Sequence, residues 1–70
     1  MTLFSYEIFD AVARQGSFNK AAQQLHLTPS AICHAIAVME EERGFALFNR
    51  GKNGVSMTSY GASLYPSIRD

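Results

Sequence analysis

Apolar residues recur every three or four positions along most of the chain, a spacing typical of amphipathic helices. The first helix is predicted over residues 3–15, with Thr2 as its N-cap and Gly16 as its stop signal. The second is predicted to begin after Ser17, a good N-cap, and to run to about Leu25. The two apolar stripes comprise Tyr6, Phe9, Val12 and Ala13 in the first helix, and Phe18, Ala21, Ala22 and Leu25 in the second.

The third predicted helix has the clearest start in the sequence. Thr28 is a good N-cap, and Pro29 stands at the first helical position, where its missing N–H costs nothing. Leu27 can pack against Ile32 across the cap. Gly44 is expected to end the helix, which places the third helix over residues 28–43.

The connection between the second and third helices is short, roughly His26 and Leu27, and suits the steep crossing of a helix-turn-helix. In that motif the start of the second helix reaches base edges in the major groove of DNA, and His34, which points outward, is the best candidate for a base contact. A helical wheel centred on Ile36 places Pro29, Ile32, Met39 and the stem of Arg43 inward, and Ser30, Ala31, His34, Ala37, Val38 and Glu41 outward.

After the third helix the pattern changes to two short β-capable runs, residues 45–50 and 55–58. They flank a turn at residues 51–54 that is rich in glycine and asparagine, so we predict a hairpin with a polar, basic tip. Thr58 is then expected to cap a fourth helix, which Pro66 should interrupt or kink.

Composition limits the class of protein. The 70 residues suffice for one small domain, and their formal net charge of zero argues against strong non-specific adhesion to nucleic acid. The single cysteine excludes an intramolecular disulfide. The sequence contains neither an apolar run of membrane-spanning length nor the regions of a signal peptide, so a soluble cytoplasmic protein is expected.

A helix, a helix-turn-helix and a hairpin in this order resemble the N-terminal winged helix-turn-helix domain of the LysR-type transcriptional regulators. The resemblance covers nearly the whole chain in the order and spacing of the family. The matching residues are Phe9, Ala13, Gly16, Ser17, Phe18, Ala21, Ala22, Leu25, Thr28, Pro29, Ser30, Ala31, Ile32, Ile36, Met39, Glu40, Gly44, Leu47, Phe48, Arg50, Met57, Thr58 and Gly61.

The resemblance implies a mainly α fold: a winged helix-turn-helix with a three-helix core, a small β-hairpin wing and the start of a fourth, linker helix. It implies sequence-specific binding of double-stranded DNA by a bacterial regulator, with the recognition helix 28–43 in the major groove and the wing 46–58 near the minor groove. The implied division is a DNA-binding domain over 1–58 and the truncated start of a linker and dimerisation helix over 59–70, with the effector-binding domain absent.

The same resemblance implies the partners. The full-length regulator would be a homodimer or tetramer, with a monomer as the open alternative for this fragment. We expect no membrane association, no cofactor, no metal and no small-molecule effector bound by this fragment.

Carried over by position, the resemblance also implies the DNA-binding residues. Asn19 and Lys20 would lie near backbone phosphate, and Arg50 with Lys52 would serve the wing. Bases or phosphate would face the start of the recognition helix, at Thr28, Pro29, Ser30, Ala31 and His34.

The chain departs from the family at several positions. Ala37 and Val38 stand where polar or basic residues are common, which should weaken phosphate attraction and flatten the salt dependence of binding. Cys33 replaces the usual serine. Tyr60 replaces a small residue before Gly61, which leaves the packing of the linker helix open.

Two other functions are weighed against DNA binding. One is a winged-helix module for protein interaction or dimerisation, with weak or no DNA binding, whose contact patch would be Ala31, Ala37 and Val38. The other is an enzyme that uses Cys33 and His34, which we do not expect because adjacent helical side chains diverge by about 100°.

Three further structural features are expected. Cys33 should be a half-buried packing residue. Residues 40–42, three consecutive glutamates, should form a solvated helix end. The phenylalanines should belong to the core rather than form stacking platforms; they are Phe4, Phe9, Phe18, Phe45 and Phe48.

Overall fold

A computed structural model describes residues 3–52 and 54–69, with side chains through residue 64. Its elements follow in the order α1 (Leu3–Gln15), α2 (Phe18–Leu25), α3 (Pro29–Arg43), β1 (Phe48–Gly51), β2 (Gly54–Met57) and α4 (Ser59–Arg69). The predicted winged helix-turn-helix is confirmed. The predicted cap at Thr2 lies outside the described residues.

Local capping fixes the starts of α2 and α3 as predicted. The Ser17 hydroxyl accepts a hydrogen bond from the Lys20 N–H at 3.2 Å. The Thr28 hydroxyl accepts one from the Ala31 N–H at 3.1 Å. His26 ends α2 in the left-handed conformation, with φ 60°, so the turn to α3 is tight.

The Thr28 cap predicts a measurable loss of stability on truncation. Thr28→Ala removes the acceptor for the Ala31 N–H and should lower the free energy of unfolding by about 1 kcal/mol. Urea denaturation followed by circular dichroism measures this difference. Ser30→Ala, an exposed change within the same helical turn, is the control and should alter stability by less than about 0.5 kcal/mol. Equal effects of the two substitutions would contradict the capping role.

The core lies where α1, α2 and α3 meet, and β1 closes it. Its buried residues are Ile8, Phe9, Ala11, Val12, Ala21, Ala22, Ile32, Ile36, Met39, Leu47 and Phe48.

The predicted inward face of α3 is confirmed in the middle of the helix, at Ile32, Ile36 and Met39. The prediction is wrong for Pro29, which is exposed; Arg43, for which only the stem was predicted to lie inward, is also exposed as a whole residue. They are the first and last residues of α3. A helical wheel describes direction around an axis and ignores where the neighbouring helices stop.

The prediction that the phenylalanines belong to the core is correct for only some of them. Phe9 and Phe48 are buried and meet edge to face at 5.3 Å, and Phe18 is half-buried beside Phe48. Phe4 and Phe45 are 52% and 62% exposed, so their assignment to the core is wrong. Phe4 lies in the first turn of α1. Phe45 follows the helix stop and stacks on Tyr60, with ring centroids 4.9 Å apart.

The prediction that residues 40–42 form a solvated helix end is wrong for Glu40. Its carboxylate is partly buried and accepts hydrogen bonds from the Leu47 N–H at 2.7 Å and the Phe48 N–H at 3.3 Å. Gly44 permits this contact because its left-handed φ of 79° turns the chain back toward the last turns of α3. Glu41 and Glu42 are exposed, as predicted.

The hairpin is shorter than predicted. The ladder runs from the pair Phe48↔Met57 to the pair Gly51↔Gly54. Residues 45–47 lie outside it because they form the return toward Glu40.

Thr58 caps α4, as predicted. Its hydroxyl accepts a hydrogen bond from the Gly61 N–H at 3.0 Å and donates one to the Ala46 carbonyl at 2.6 Å. The helix is not interrupted at Pro66 but runs on to Arg69. Proline removes a single N–H donor, which leaves the other helical hydrogen bonds available.

Candidate nucleic-acid interface

The outward face of α3 is solvent-exposed as the wheel predicts. Thr28 and Pro29 begin the exposed surface, and it continues along the helix through Ser30, Ala31, His34, Ala37, Val38 and Glu41. The Thr28 hydroxyl oxygen accepts one hydrogen bond from the helix, which leaves its O–H hydrogen and a second lone pair available to a ligand. Cys33 is half-buried, as expected.

The wing is attached to the turn between α1 and α2. The Val55 N–H donates to the Gly16 carbonyl at 3.0 Å. Gly54 has φ +118°, and a β-carbon there would lie 2.6 Å from the same carbonyl oxygen. Only glycine suits both the backbone conformation and the close approach, so the two glycines fix the position of the hairpin relative to α2.

Arg50 places a positive charge beside the start of α2. Its guanidinium carbon lies 4.9 Å from the centroid of the Phe18 ring, a cation–π arrangement. Arg50 also shares an open groove with Asn19 and with the N-cap residue Ser17. The first turn of a helix presents free backbone N–H groups and the positive end of the helix dipole, so this groove suits an anion.

All nine predicted site residues are exposed. The structure brings Asn19 and Arg50 together in the groove beside α2, and Lys52 joins Arg50 in a second groove along the wing. Lys20 projects from the first turn of α2. The remaining five residues lie along the first two turns of α3: Thr28, Pro29, Ser30, Ala31 and His34.

Sequence reasoning missed two contributors to this surface. Phe18 was assigned to the core, yet its half-buried ring also supports the Arg50 guanidinium. Gly16 was read as a helix stop, yet its carbonyl also holds the wing. Neither contact has a local signal, because each joins residues more than thirty positions apart.

Two other kinds of site have no candidate in the described part of the chain. No group of three or more His, Cys, Asp or Glu side chains there is placed to hold a metal ion. None of the described helices has the length and apolar character needed to cross a membrane.

Comparison with known proteins identifies the family. Residues 3–62 match the model of the bacterial regulatory helix-turn-helix proteins of the lysR family. The chain is 48% identical over 63 residues to the uncharacterized HTH-type transcriptional regulator y4mQ of Sinorhizobium fredii, covering 90% of this chain and 21% of that protein. It is 46% identical over 59 residues to the regulator PunR of Escherichia coli K12, covering 84% of this chain and 19% of PunR.

Solved structures agree with the sequence comparison. The DNA-binding domain of BenM, crystallised with catB site 1 DNA, is 33% identical and superposes with a TM-score of 0.93, covering 99% of this chain and 78% of that one. The CbnR domain crystallised with DNA is 28% identical at the same TM-score of 0.93, covering 99% and 79%. The chain spans about a fifth of the length of the curated relatives it matches. With its winged helix-turn-helix and its match over residues 3–62, the chain belongs to the LysR family of bacterial regulatory proteins.

Proposed function

We propose that this chain binds double-stranded DNA sequence-specifically, as the reading head of a bacterial transcriptional regulator. The observation that carries the proposal is the likeness, at a TM-score of 0.93 over 99% of the chain, to a BenM domain crystallised on DNA. The exposed start of α3 and the cationic groove beside α2 give this fold the surfaces that such binding needs.

In the proposed orientation α3 enters the major groove and the wing lies near the adjacent minor groove. The exposed first two turns of α3 face base edges and nearby phosphates, through Thr28, Pro29, Ser30, Ala31 and His34. Backbone phosphates are met on the flanks by Asn19, Lys20, Arg50 and Lys52. Contacts of this second kind fix the register of the protein on the duplex and carry no sequence information directly.

Arg50 provides the test of this orientation. The Phe18 ring restricts the guanidinium, so less side-chain entropy is lost when it meets phosphate. Arg50→Ala should reduce the magnitude of the slope of log K against log salt by about 0.9, and should weaken binding to all duplexes similarly. Fluorescence anisotropy with labelled duplexes at several salt concentrations measures both effects.

Arg14→Ala is the matched control, because it removes the same charge from α1. The Arg14 guanidinium is already paired with Asp10 at 2.9 Å, so its removal should leave the salt slope unchanged. An unchanged slope in Arg50→Ala would contradict phosphate contact by the wing. If the unaltered chain bound no duplex even at low salt, DNA binding itself would be rejected.

The second candidate function is a winged-helix module for protein interaction or dimerisation. It is favoured by the neutral charge of the chain and by the exposure of Val38, which is 40% accessible on α3. Substitution of His34 separates the two functions: His34→Ala should impair DNA binding, but it should leave capture of a protein partner untouched if Val38 anchors that partner.

The proposal gives the chain no catalytic role. Cys33 is half-buried while the adjacent His34 is exposed, so the thiol and the imidazole point in different directions from α3. We place the protein in the cytoplasm, where a bacterial regulator meets the chromosome.

The proposed assembly concerns the complete regulator. We propose that residues 59–70 begin the linker and dimerisation helix of a longer protein, and that residues 1–58 form its DNA-binding domain. The full-length regulator would then act as a homodimer or tetramer whose effector binds to a domain other than this one.

A further inference from the structure

The outward face of α3 lacks the side chains that most often read guanine. Residues 29–42 include no arginine and no lysine, and the only group of this face that can carry positive charge is His34. Paired hydrogen bonds from arginine or lysine to guanine O6 and N7 are the commonest specific base contact in the major groove. Base selection by this helix therefore depends on another kind of contact.

One flank of the same face is apolar. Ala31 and Val38 are both exposed, and Val38 is 40% accessible. They are seven residues apart, so they lie within about 20° of one another around the helix and about 10 Å apart along its axis. A helix in the major groove is inclined to the duplex axis, so this separation spans at most about three base-pair steps of duplex DNA.

Thymine offers the matching chemistry. Its 5-methyl group projects into the major groove, and alanine is among the side chains that contact it. A valine exposed to water gains from such contact because two apolar groups leave water together. Charged or strongly polar side chains at these positions would instead favour phosphate or the polar base edges.

We propose that the flank formed by Ala31 and Val38 selects operators with two thymines within about three base pairs of one another, by packing on their 5-methyl groups. This specificity rests on the proposed DNA binding and goes beyond it, because it names the base chemistry and the residues that read it. Ala31 contacts the first methyl group and Val38 the second.

The experiment begins with selection of duplexes from a random library by the 70-residue chain. In the enriched sequence each thymine is replaced in turn by deoxyuridine, which deletes the 5-methyl group and keeps the base pairing. We expect two replacements, within about three base pairs of one another, to weaken binding by about 3- to 5-fold each. Replacements elsewhere should have little effect.

The variant Val38→Ala then assigns one methyl group to its residue. Because this variant lacks the two γ-methyl groups of valine, the deoxyuridine effect at one of the two thymines should become smaller, while the effect at the other is unchanged. Leu3→Ala is the matched control, since it truncates an aliphatic side chain that is 75% exposed on α1. Both deoxyuridine effects should survive in the control.

The possible failures are distinguishable. If no sequence is enriched and no duplex is bound at low salt, the proposed function itself fails. If a sequence is enriched but tolerates deoxyuridine at every position, DNA binding stands and thymine selection is overturned. If both effects persist undiminished in Val38→Ala, the assignment of the second methyl group to Val38 is overturned.

Discussion

Glu40→Ala should destabilise the domain by about 2–3 kcal/mol, because it leaves the N–H groups of Leu47 and Phe48 without their carboxylate acceptor. Those two residues are 0% and 5% exposed, so water cannot readily replace the acceptor. A domain of this size is expected to have a total stability of only about 4–10 kcal/mol. The predicted loss is therefore a large part of the whole, and urea denaturation monitored by circular dichroism will measure it.

The neighbouring glutamates supply the controls for Glu40. Glu41→Ala and Glu42→Ala remove equal charges from exposed positions on the same helix and should each change stability by less than about 0.5 kcal/mol. Glu40→Gln retains one acceptor oxygen and should fall between the alanine variant and the unaltered chain. Equal losses for all three alanine variants would mean that the helix end responds to charge and not to these hydrogen bonds.

Gly61→Ala should destabilise the domain by about 3 kcal/mol, because the added β-carbon would overlap the carbonyl oxygen of Leu47. That oxygen also accepts the Thr58 N–H at 2.9 Å, so the helix start cannot move away without stretching this bond. The Leu47 carbonyl oxygen is a backbone atom, and the added β-carbon would be bonded directly to the backbone. Neither atom can therefore rotate aside as the end of a flexible side chain would. Thermal unfolding and urea titration of the purified variant measure the loss.

Gly51→Ala is the matched control for Gly61. A β-carbon at Gly51 would meet nothing within 4 Å, so this variant should be neutral or slightly stabilised. A similar small effect in Gly61→Ala would show that α4 can shift away from Leu47. The structure also shows how α4 accommodates Tyr60: its ring lies against the exposed Phe45, while the neighbouring Gly61 is buried.

Local chemistry made the helices predictable. The starts of α2 and α3 depend on the hydroxyl groups of Ser17 and Thr28, which accept hydrogen bonds from residues three positions later. The end of α3 depends on a glycine in the left-handed conformation. Because every partner lies within one helical turn, the sequence order already places the interacting groups together.

The candidate DNA-binding residues were found in a different way. For the residues on α3, exposure followed from the helical period and the base-contact role from the helix-turn-helix motif. The roles of the residues on α2 and in the wing followed from resemblance to the LysR family. Neither source reveals that the Arg50 guanidinium rests on Phe18 or that Arg50 and Asn19 share one groove. These contacts depend on the position of the wing, which is set by the close approach of Gly54 to the Gly16 carbonyl.

The amino-acid order thus specified the helices, their caps, the buried stripe of α3 and its exposed opposite face, since periodicity and capping act over a few residues. Folding in three dimensions specified the role of Glu40, the exposure of Phe45 and the attachment of the wing. Each of these depends on a segment that folds back onto an earlier part of the chain: residues 45–48 onto α3 after Gly44, and β2 onto the turn at Gly16. Such returns bring distant backbone N–H and carbonyl groups together, and their pairing satisfies groups that would otherwise be buried without a partner.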